Sequence, residues 1–179
     1  NNPESQMVAV TVRAGSKAEM ALPDGTFVHL NAATNLEYDV NNSKQRLVKL
    51  SGEAFFDVAK NPDCPFKVII NDLQIEVVGT SFNVKTYKKD IVETSLLSGR
   101  IRISGGSLPH EYTLSPGQKA TYSAMDRTLR ISKADAHVEA GWRDNYLIFE
   151  STPLIDVIAQ IERWYGVEIR LHHKQIAQD

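Results

Sequence analysis

Apolar and polar residues alternate along most of this 179-residue chain, and such alternation is typical of β-strands that bury one face. The pattern is clearest in residues 73–78, where Leu73, Ile75 and Val77 fall on one side. Five alternating segments begin just after a glycine, and these glycines are Gly25, Gly52, Gly79, Gly99 and Gly117. The first three are 27 residues apart, and the next two follow after 20 and 18 residues. This repeat predicts a mainly β fold of stacked β-rungs, either β-helix or solenoid-like or a β-sandwich.

Local residue choices predict several turns. Residues 22–25 read Leu-Pro-Asp-Gly, with proline and glycine where type I turns favour them, so the turn accounts for Asp24. Asn71 and Asp72 separate two alternating segments and predict a tight hairpin, because both residue types tolerate positive φ. The five repeated glycines are expected to reverse the chain where a Cβ would clash. The residues expected in the core include Phe55, Phe82 and one of Phe27 and Val28.

The pattern changes at Trp142. Residues 146–149 are a short apolar run typical of a strand, and apolar residues then recur every three or four positions as far as Trp164, which predicts a helix. Gly166 is placed to cap that helix, and residues 167–171 alternate again. We therefore divide the chain into a mainly β domain, residues 1–141, and a small α+β strand-helix-strand module, residues 142–179.

The charge balance narrows the classes of partner. There are 20 Lys and Arg residues against 22 Asp and Glu residues, which gives a net charge of -2. Without a clustered basic face the chain is not expected to bind nucleic acid. No apolar run exceeds four residues, so no segment of this sequence is long enough to span a bilayer. The single cysteine, Cys64, is interpreted as a structural thiol because no histidine lies near it in the sequence.

No sequence motif for catalysis or metal binding is present. The His-x-His spacing that aims two imidazoles at one ion is absent from the five histidines, His29, His110, His137, His172 and His173. Hydrolase, phosphate-loop and dinucleotide glycine motifs are absent too. Glu53 is interpreted as a buried structural carboxylate bonded to backbone amides or to Arg46. We assign no catalytic, cofactor-binding or metal-binding residue, and a glycoside hydrolase with two facing carboxylates stays a third alternative.

Several segments, taken in order, closely resemble the FecR family. In the β domain they are residues 22–31 (Leu-Pro-Asp-Gly-Thr-x-Val-x-Leu-Asn), 46–58 (Arg-x-Val-x-Leu-x-Gly-Glu-Ala-x-Phe-x-Val), 65–66 (Pro-Phe), 79–84 (Gly-Thr-x-Phe-Asn-Val), 96–99 (Leu-x-x-Gly) and 114–118 (Leu-x-Pro-Gly-Gln). Trp142 and the later Leu147-x-Phe149, Pro153-Leu154 and Glu162-Arg163-x-Tyr165 look like the C-terminal module of Bacteroidetes-type members. Together these segments cover almost the whole chain.

The resemblance implies a non-catalytic regulator of transcription. FecR-like proteins are anti-sigma factors, or sigma regulators, of the bacterial inner membrane. Their periplasmic part has a solenoid-like β domain and a module similar to the N-terminal domain of secretins and TonB receptors. This part passes a signal from a TonB-dependent outer-membrane transducer to an extracytoplasmic-function sigma factor. We expect the cytoplasmic sigma-binding segment and a single transmembrane helix to precede Asn1, and the module to be incomplete at Asp179.

The module offers a candidate surface for protein–protein interaction. A strand-helix-strand unit that stops after Leu171 would expose a sheet edge, and such an edge can accept a partner's strand. The residues predicted to contact the signalling domain of the receptor are Trp164, Tyr165, Glu168, Ile169, Arg170 and Leu171. The alternative for Trp164 is a purely structural place in the core. The alternative for the whole chain is a glycan-binding β module of a surface-associated protein.

Overall fold

The computed structural model describes residues 6–40 and 46–171. In this part of the chain the strands β1 to β14 are Met7–Val12, Ala18–Ala21, Phe27–Leu30, Thr34–Asp39, Arg46–Ser51, Glu53–Asp57, Phe66–Ile70, Leu73–Val77, Ser81–Lys85, Ile91–Ser98, Ile101–Gly105, Tyr112–Leu114, Gln118–Ser123 and Thr128–Lys133. They are followed by helix α1 (Ala136–Ala140), a 3-10 helix (Gly141–Asp144) and helix α2 (Leu154–Tyr165). None of the helices in the described ranges is long and apolar enough to cross a bilayer.

The strands form two seven-stranded sheets. Sheet A has the order β1-β4-β5-β7-β8-β11-β12, and sheet B has the order β14-β13-β10-β9-β6-β3-β2. Neighbouring strands are antiparallel, except that β5 and β7 run parallel. The prediction of a mainly β fold is confirmed. Of the two architectures left open, the structure has the sandwich, because a solenoid would stack its rungs in parallel.

The 27-residue repeat corresponds to three neighbouring strands. Gly25, Gly52 and Gly79 precede β3, β6 and β9, which lie side by side in sheet B. Gly52 has φ 117°, and a Cβ there would lie 2.6 Å from the Cα of Thr34. Gly79 has no positive φ, but a Cβ there would lie 2.8 Å from the backbone of Lys60. The repeat in sequence is therefore a repeat in space along one sheet: Gly25 lies in the turn that joins β2 to β3 within sheet B, and Gly52 and Gly79 lie where the chain crosses from sheet A to sheet B.

The inner faces of the two sheets share one apolar core. Phe56 of sheet B and Phe66 of sheet A meet across the layers with ring centroids 5.8 Å apart, and Phe56 also stacks on Phe82 at 5.2 Å. Phe82 and Val28 are fully buried here, as expected. Phe55 is buried as well, but alternation along β6 places it on the opposite face of the sheet, outside this core.

The turn at residues 22–25 is held by a buried ion pair. The Gly25 N–H donates to the Leu22 carbonyl (3.0 Å), and the Asp24 carboxylate accepts from the Thr26 N–H (2.9 Å). The same carboxylate accepts from Arg46 Nη1 (3.1 Å), whose guanidinium also donates to the carbonyls of four residues, Ala59, Asn61, Cys64 and Val78. The alternative in which Arg46 bonds Glu53 is therefore wrong, because Arg46 is fully engaged at this turn.

The C-terminal module contains the predicted helix but not the strands around it. Helix α2 ends at Tyr165, and Gly166 caps it with φ 66° and an N–H bond to the Glu162 carbonyl (2.8 Å). Residues 146–149 and 167–171 belong to neither sheet, so the strand-helix-strand prediction is wrong at both flanks within the described residues. A strand needs a neighbour to pair with, and the described part of the module provides none. Residues 172–179 of the module, including His172 and His173, lie outside the described residues.

Candidate functional site

The outer face of sheet B carries the C-terminal module. Alternation along β6 sends Ala54 and Phe56 into the sandwich core and Phe55 outwards. Phe55 buries a second, small apolar cluster with Ala140 and Trp142, and Leu97 and Trp164 pack against its margin. We call these five residues the module interface. These residues form an apolar contact between the outer face of sheet B and the module.

A chain of buried side-chain hydrogen bonds lies beside this interface. Glu53 Oε2 accepts from Asn31 Nδ2 (2.8 Å), and Glu53 Oε1 accepts from Asn83 Nδ2 (3.0 Å). The Asn83 Oδ1 in turn accepts from the Trp142 indole Nε1 (3.1 Å). We call Asn31, Glu53, Asn83 and Trp142 the polar hub. The carboxylate requires a donor and the indole requires an acceptor, so both ends fix the orientation of the Asn83 amide.

The hub joins three strands of sheet B to the module. Asn31 follows β3, Glu53 begins β6 and Asn83 lies in the middle of β9. Each belongs to one of the segments that carry the FecR resemblance. Sequence reasoning singled out Glu53 as a buried carboxylate but gave it the wrong partners, and it did not single out Asn31 or Asn83. The only available signal was the recurrence of a polar residue at outward positions of the repeated strands.

Burial sets the electrostatics of the hub. Loss of solvent raises the pKa of Glu53, against the lowering effect of Lys85, the two Asn amides and Arg163. Burial and the nearby Glu53 charge also raise the pKa of Tyr87, whose hydroxyl donates to the Ala32 carbonyl. The Arg163 guanidinium lies 4.0 Å from the centroid of the Tyr87 ring. An acidic group inside sheet B thus lies near a cation of helix α2.

A groove of about 450 Å³ runs between sheet B and the module, next to the hub. Ion pairs connect its two walls: Lys88 Nζ lies 2.6 Å from Asp156 Oδ2, and Lys119 Nζ lies 2.9 Å from both Glu93 and Glu139. Among the described residues there is no group of three or more His, Cys, Asp or Glu side chains able to hold a metal ion. Of these ion pairs, Lys88–Asp156 links the β domain to helix α2 of the module.

The six residues predicted to bind a partner lie in different environments. Trp164 is half-buried at the module interface, and the Lys17 ammonium lies 3.3 Å from its ring centroid. Tyr165 is 65% exposed, and the Ile169 N–H donates to Glu162 Oε1 (2.7 Å). The remaining three, Glu168, Arg170 and Leu171, are exposed, with Arg170 paired to Glu168 at 3.1 Å. No sheet edge is formed there within the described ranges, so any contact would be made by side chains and loop backbone.

A family model described as FecR protein matches residues 8–102, which is more than half of the chain. The chain belongs to the FecR family. A second model, described as FecR, C-terminal, matches residues 146–179, which include helix α2. No curated protein matches this FecR chain.

Two crystal structures of candidate anti-sigma factors from Parabacteroides distasonis ATCC 8503 are similar to it. One, at 2.50 Å resolution, is 32% identical with a TM-score of 0.83, and the alignment covers 91% of this chain and 76% of that one. The other, at 1.65 Å resolution, is 31% identical with a TM-score of 0.83, and the alignment covers 90% and 76% of the two chains.

Membership of the family indicates the general class of function. FecR proteins are regulators of the anti-sigma type and are generally not enzymes, and the FecR domain is a periplasmic part of inner-membrane proteins. The family implies a sigma factor and receptor partners in general, so the surfaces of the chain are candidate places of contact. The hub and the module interface are two of the described contacts between the module and the β domain.

Proposed function

We propose that this chain is the periplasmic sensor and relay of an inner-membrane anti-sigma factor. In this proposal the β domain, residues 1–141, is the body of the relay, and the module, residues 142–179, receives the signal. The signal comes from a TonB-dependent outer-membrane transducer and passes to an extracytoplasmic-function sigma factor bound to a cytoplasmic segment of the whole protein. Membership of the FecR family supports the regulatory role.

One observation carries the assignment of the receiving surface. Of the twelve large apolar side chains that are exposed in the described residues, seven lie between residues 146 and 171. They are Tyr146, Ile148, Phe149, Ile155, Tyr165, Val167 and Leu171. Exposed apolar side chains concentrated in one segment are typical of a protein-binding surface. We therefore infer that the signalling domain of the receptor docks on the module.

The docking surface has an aromatic residue at its centre in this proposal. Tyr165 is exposed at the end of α2, and residues 168–171 follow the Gly166 cap. Tyrosine often contributes much of the binding energy of an interface, because its ring is large and its hydroxyl can hydrogen-bond. Trp164, the neighbouring aromatic, faces the module interface and would contribute by positioning this end of the helix.

Binding to a purified receptor signalling domain tests the proposal. We expect Tyr165→Ala to weaken binding by about tenfold or more, as the loss of an aromatic interface residue commonly does. The matched control is Ile131→Ala, since Ile131 is also an exposed apolar residue but lies on β14, an edge strand of sheet B outside the module. Equal affinities for the two variants would contradict docking on this surface.

A second variant tests the segment after the helix. Ile169→Pro removes the N–H that donates to Glu162 Oε1, so residues 167–171 would leave their position beside α2. We expect weaker receptor binding with an unchanged thermal midpoint for the β domain.

Calorimetry with free oligosaccharides tests the glycan-binding alternative. Heat released on adding sugar, with none on adding the receptor domain, would favour a carbohydrate-binding role over the relay.

A further inference from the structure

The loop between β1 and β2 touches the end of helix α2 through backbone atoms. The Gly15 N–H donates to the Arg163 carbonyl (2.8 Å). Both Gly15 and Gly166 have positive φ, at 77° and 66°, and a Cβ on either would lie within 3.3 Å of a backbone oxygen of the other segment. Glycine at both places therefore allows the loop and the helix end to approach this closely.

Lys17, in the same loop, contacts both helical parts of the module. Its ammonium donates to the Trp142 carbonyl (2.7 Å) and to Asn145 Oδ1 (3.0 Å), next to the 3-10 helix. It also lies 3.3 Å from the ring centroid of Trp164 in α2, in cation–π geometry. A single side chain thus holds the 3-10 helix and α2 against the loop that joins β1 of sheet A to β2 of sheet B.

The apolar contact beneath these polar ones is small. The sandwich core contains buried side chains from both sheets, whereas the module interface has only Phe55, Ala140 and Trp142 as buried members in the described residues. In α2 itself, Ile158 is the one residue of the described helix that is buried. Segments with few buried apolar contacts open at a lower free energy than the core of the same protein. The module can therefore separate while the sandwich stays folded.

We propose that Gly15 and Lys17 form a releasable latch, which holds the module on sheet B when closed and lets helix α2 leave as a unit when open. In the open state the Trp164 ring and the inward side of α2 become accessible. The latch is a property of this chain alone, but its use in signalling rests on the proposed function. A receptor domain that prefers the exposed Trp164 would shift the equilibrium towards the open state by its differential affinity.

Amide hydrogen exchange of the whole chain tests the latch. We expect Lys17→Met, which keeps the aliphatic stem, to speed exchange in α2 by about 5- to 30-fold, while exchange in β6 and β9 stays as in the wild type. Lys49→Met is the matched control, because Lys49 is an exposed lysine of sheet A that pairs only at 3.8 Å with Glu37, and it should change neither region. Lys17→Arg keeps a cation over the ring and should restore most of the protection of α2.

Two outcomes would overturn the latch. Unchanged exchange in α2 of Lys17→Met would mean that Lys17 does not hold the module. Faster exchange in α2, β6 and β9 together would mean that module and sandwich open as one unit. If Lys17→Arg also exchanged faster in all three elements, the effect could not be ascribed to the methionine side chain. Adding the receptor domain to the wild-type chain tests the proposed function separately: if it does not bind, the relay fails and the latch is unaffected.

Discussion

The two faces of sheet B are built on different physical principles. On the inner face, Phe56 and Phe82 belong to a continuous apolar core that needs no particular hydrogen bond. On the outer face, Phe55 meets Trp142 in a small cluster that depends on the polar hub and on Lys17 for its position. Apolar burial is non-directional and adds up over many residues, whereas hydrogen bonds are directional and few. The inner face therefore provides most of the apolar burial, and the outer face provides a small contact whose geometry is set by a few hydrogen bonds.

The largest expected effect comes from the inner face. Phe82→Ala should lower the free energy of unfolding by about 3–5 kcal/mol, because it leaves a cavity beside Phe56 in a fully buried place. Chemical denaturation followed by circular dichroism measures this. Phe27→Ala is the control, since Phe27 is 38% exposed on the outer face, and its loss should cost much less. Equal losses for both variants would remove the distinction between the two faces.

The next effect concerns the polar hub. Glu53→Gln should cost about 1–3 kcal/mol at neutral pH, because glutamine offers one acceptor oxygen to the two amide donors of Asn31 and Asn83 and leaves one of them unsatisfied. Denaturant unfolding measures this loss. Glu93→Gln is a suitable control, since Glu93 is only partly buried and pairs with Lys119 at the groove. A cost for Glu53→Gln no greater than that of the control would contradict a structural hub.

The same residue predicts a pH dependence. Since burial raises the pKa of Glu53 in the folded chain above its ordinary value of 4.5, the folded state binds this proton more tightly than the unfolded state. The Glu53 contribution to stability is therefore complete below pH 4.5 and falls as the pH rises through the folded pKa. The unfolding free energy of the wild type relative to that of Glu53→Gln, measured between about pH 4.5 and about pH 8, should decrease as pH rises. A relative stability of the wild type that increases with pH would contradict a raised pKa of Glu53.

A smaller effect is expected at the end of the hub. Trp142→Phe keeps an aromatic ring against Phe55 but removes the indole N–H that donates to Asn83 Oδ1. We expect a loss of about 1 kcal/mol, together with faster hydrogen exchange in the 3-10 helix. Asn83→Leu tests the same bond from the other side, because it removes the Oδ1 that accepts from the indole N–H. Protection of the 3-10 helix that survives both changes would show that the bond is unimportant.

The smallest effect belongs to the outer face of sheet A, where solvent reaches the side chains. Lys49→Ala breaks its 3.8 Å contact with Glu37, and both side chains are substantially exposed. Exposed ion pairs of this kind contribute little to the stability of the folded state, so we expect a change in unfolding free energy within about 0.5 kcal/mol. The thermal midpoint, compared with that of Trp142→Phe, measures it. A larger loss than that of Trp142→Phe would reverse the ranking of the surfaces.

The sequence predicts the local part of the fold well. Alternation and turn glycines depend on neighbouring residues, so the hairpin at Asn71 and Asp72 and the strands after Gly25, Gly52 and Gly79 follow from the sequence. The choice between sandwich and solenoid does not follow, because it depends on pairing between distant segments. The parallel pairing of β5 with β7 is one such case: these strands are not consecutive, since β6 between them belongs to the other sheet.

The candidate site is less predictable for a related reason. Asn31 and Asn83 are ordinary outward-facing polar residues of β-strands until Trp142 and its helix cover them. The sequence also allows Arg46 as a partner of Glu53, but in the structure the Arg46 guanidinium donates to Asp24 and to four backbone carbonyls instead. In the module, the apolar run at residues 146–149 and the alternation at residues 167–171 predict strands, but neither segment has the neighbouring strand that pairing requires in the described residues. Each miss concerns a neighbour that is distant in sequence.

The contact between Gly15 and Arg163 shortens the distance between the two ends of the chain. These residues are separated by almost the whole length of the sequence, yet one hydrogen bond joins them. Helix α2 therefore contacts the loop between β1 and β2 directly, in addition to its contacts with the apolar cluster around Phe55 and with Lys88. In the described part of the chain, the loop that follows the first strand and the last helix are thus neighbours in space, and the proposed latch would open or close at this point of contact.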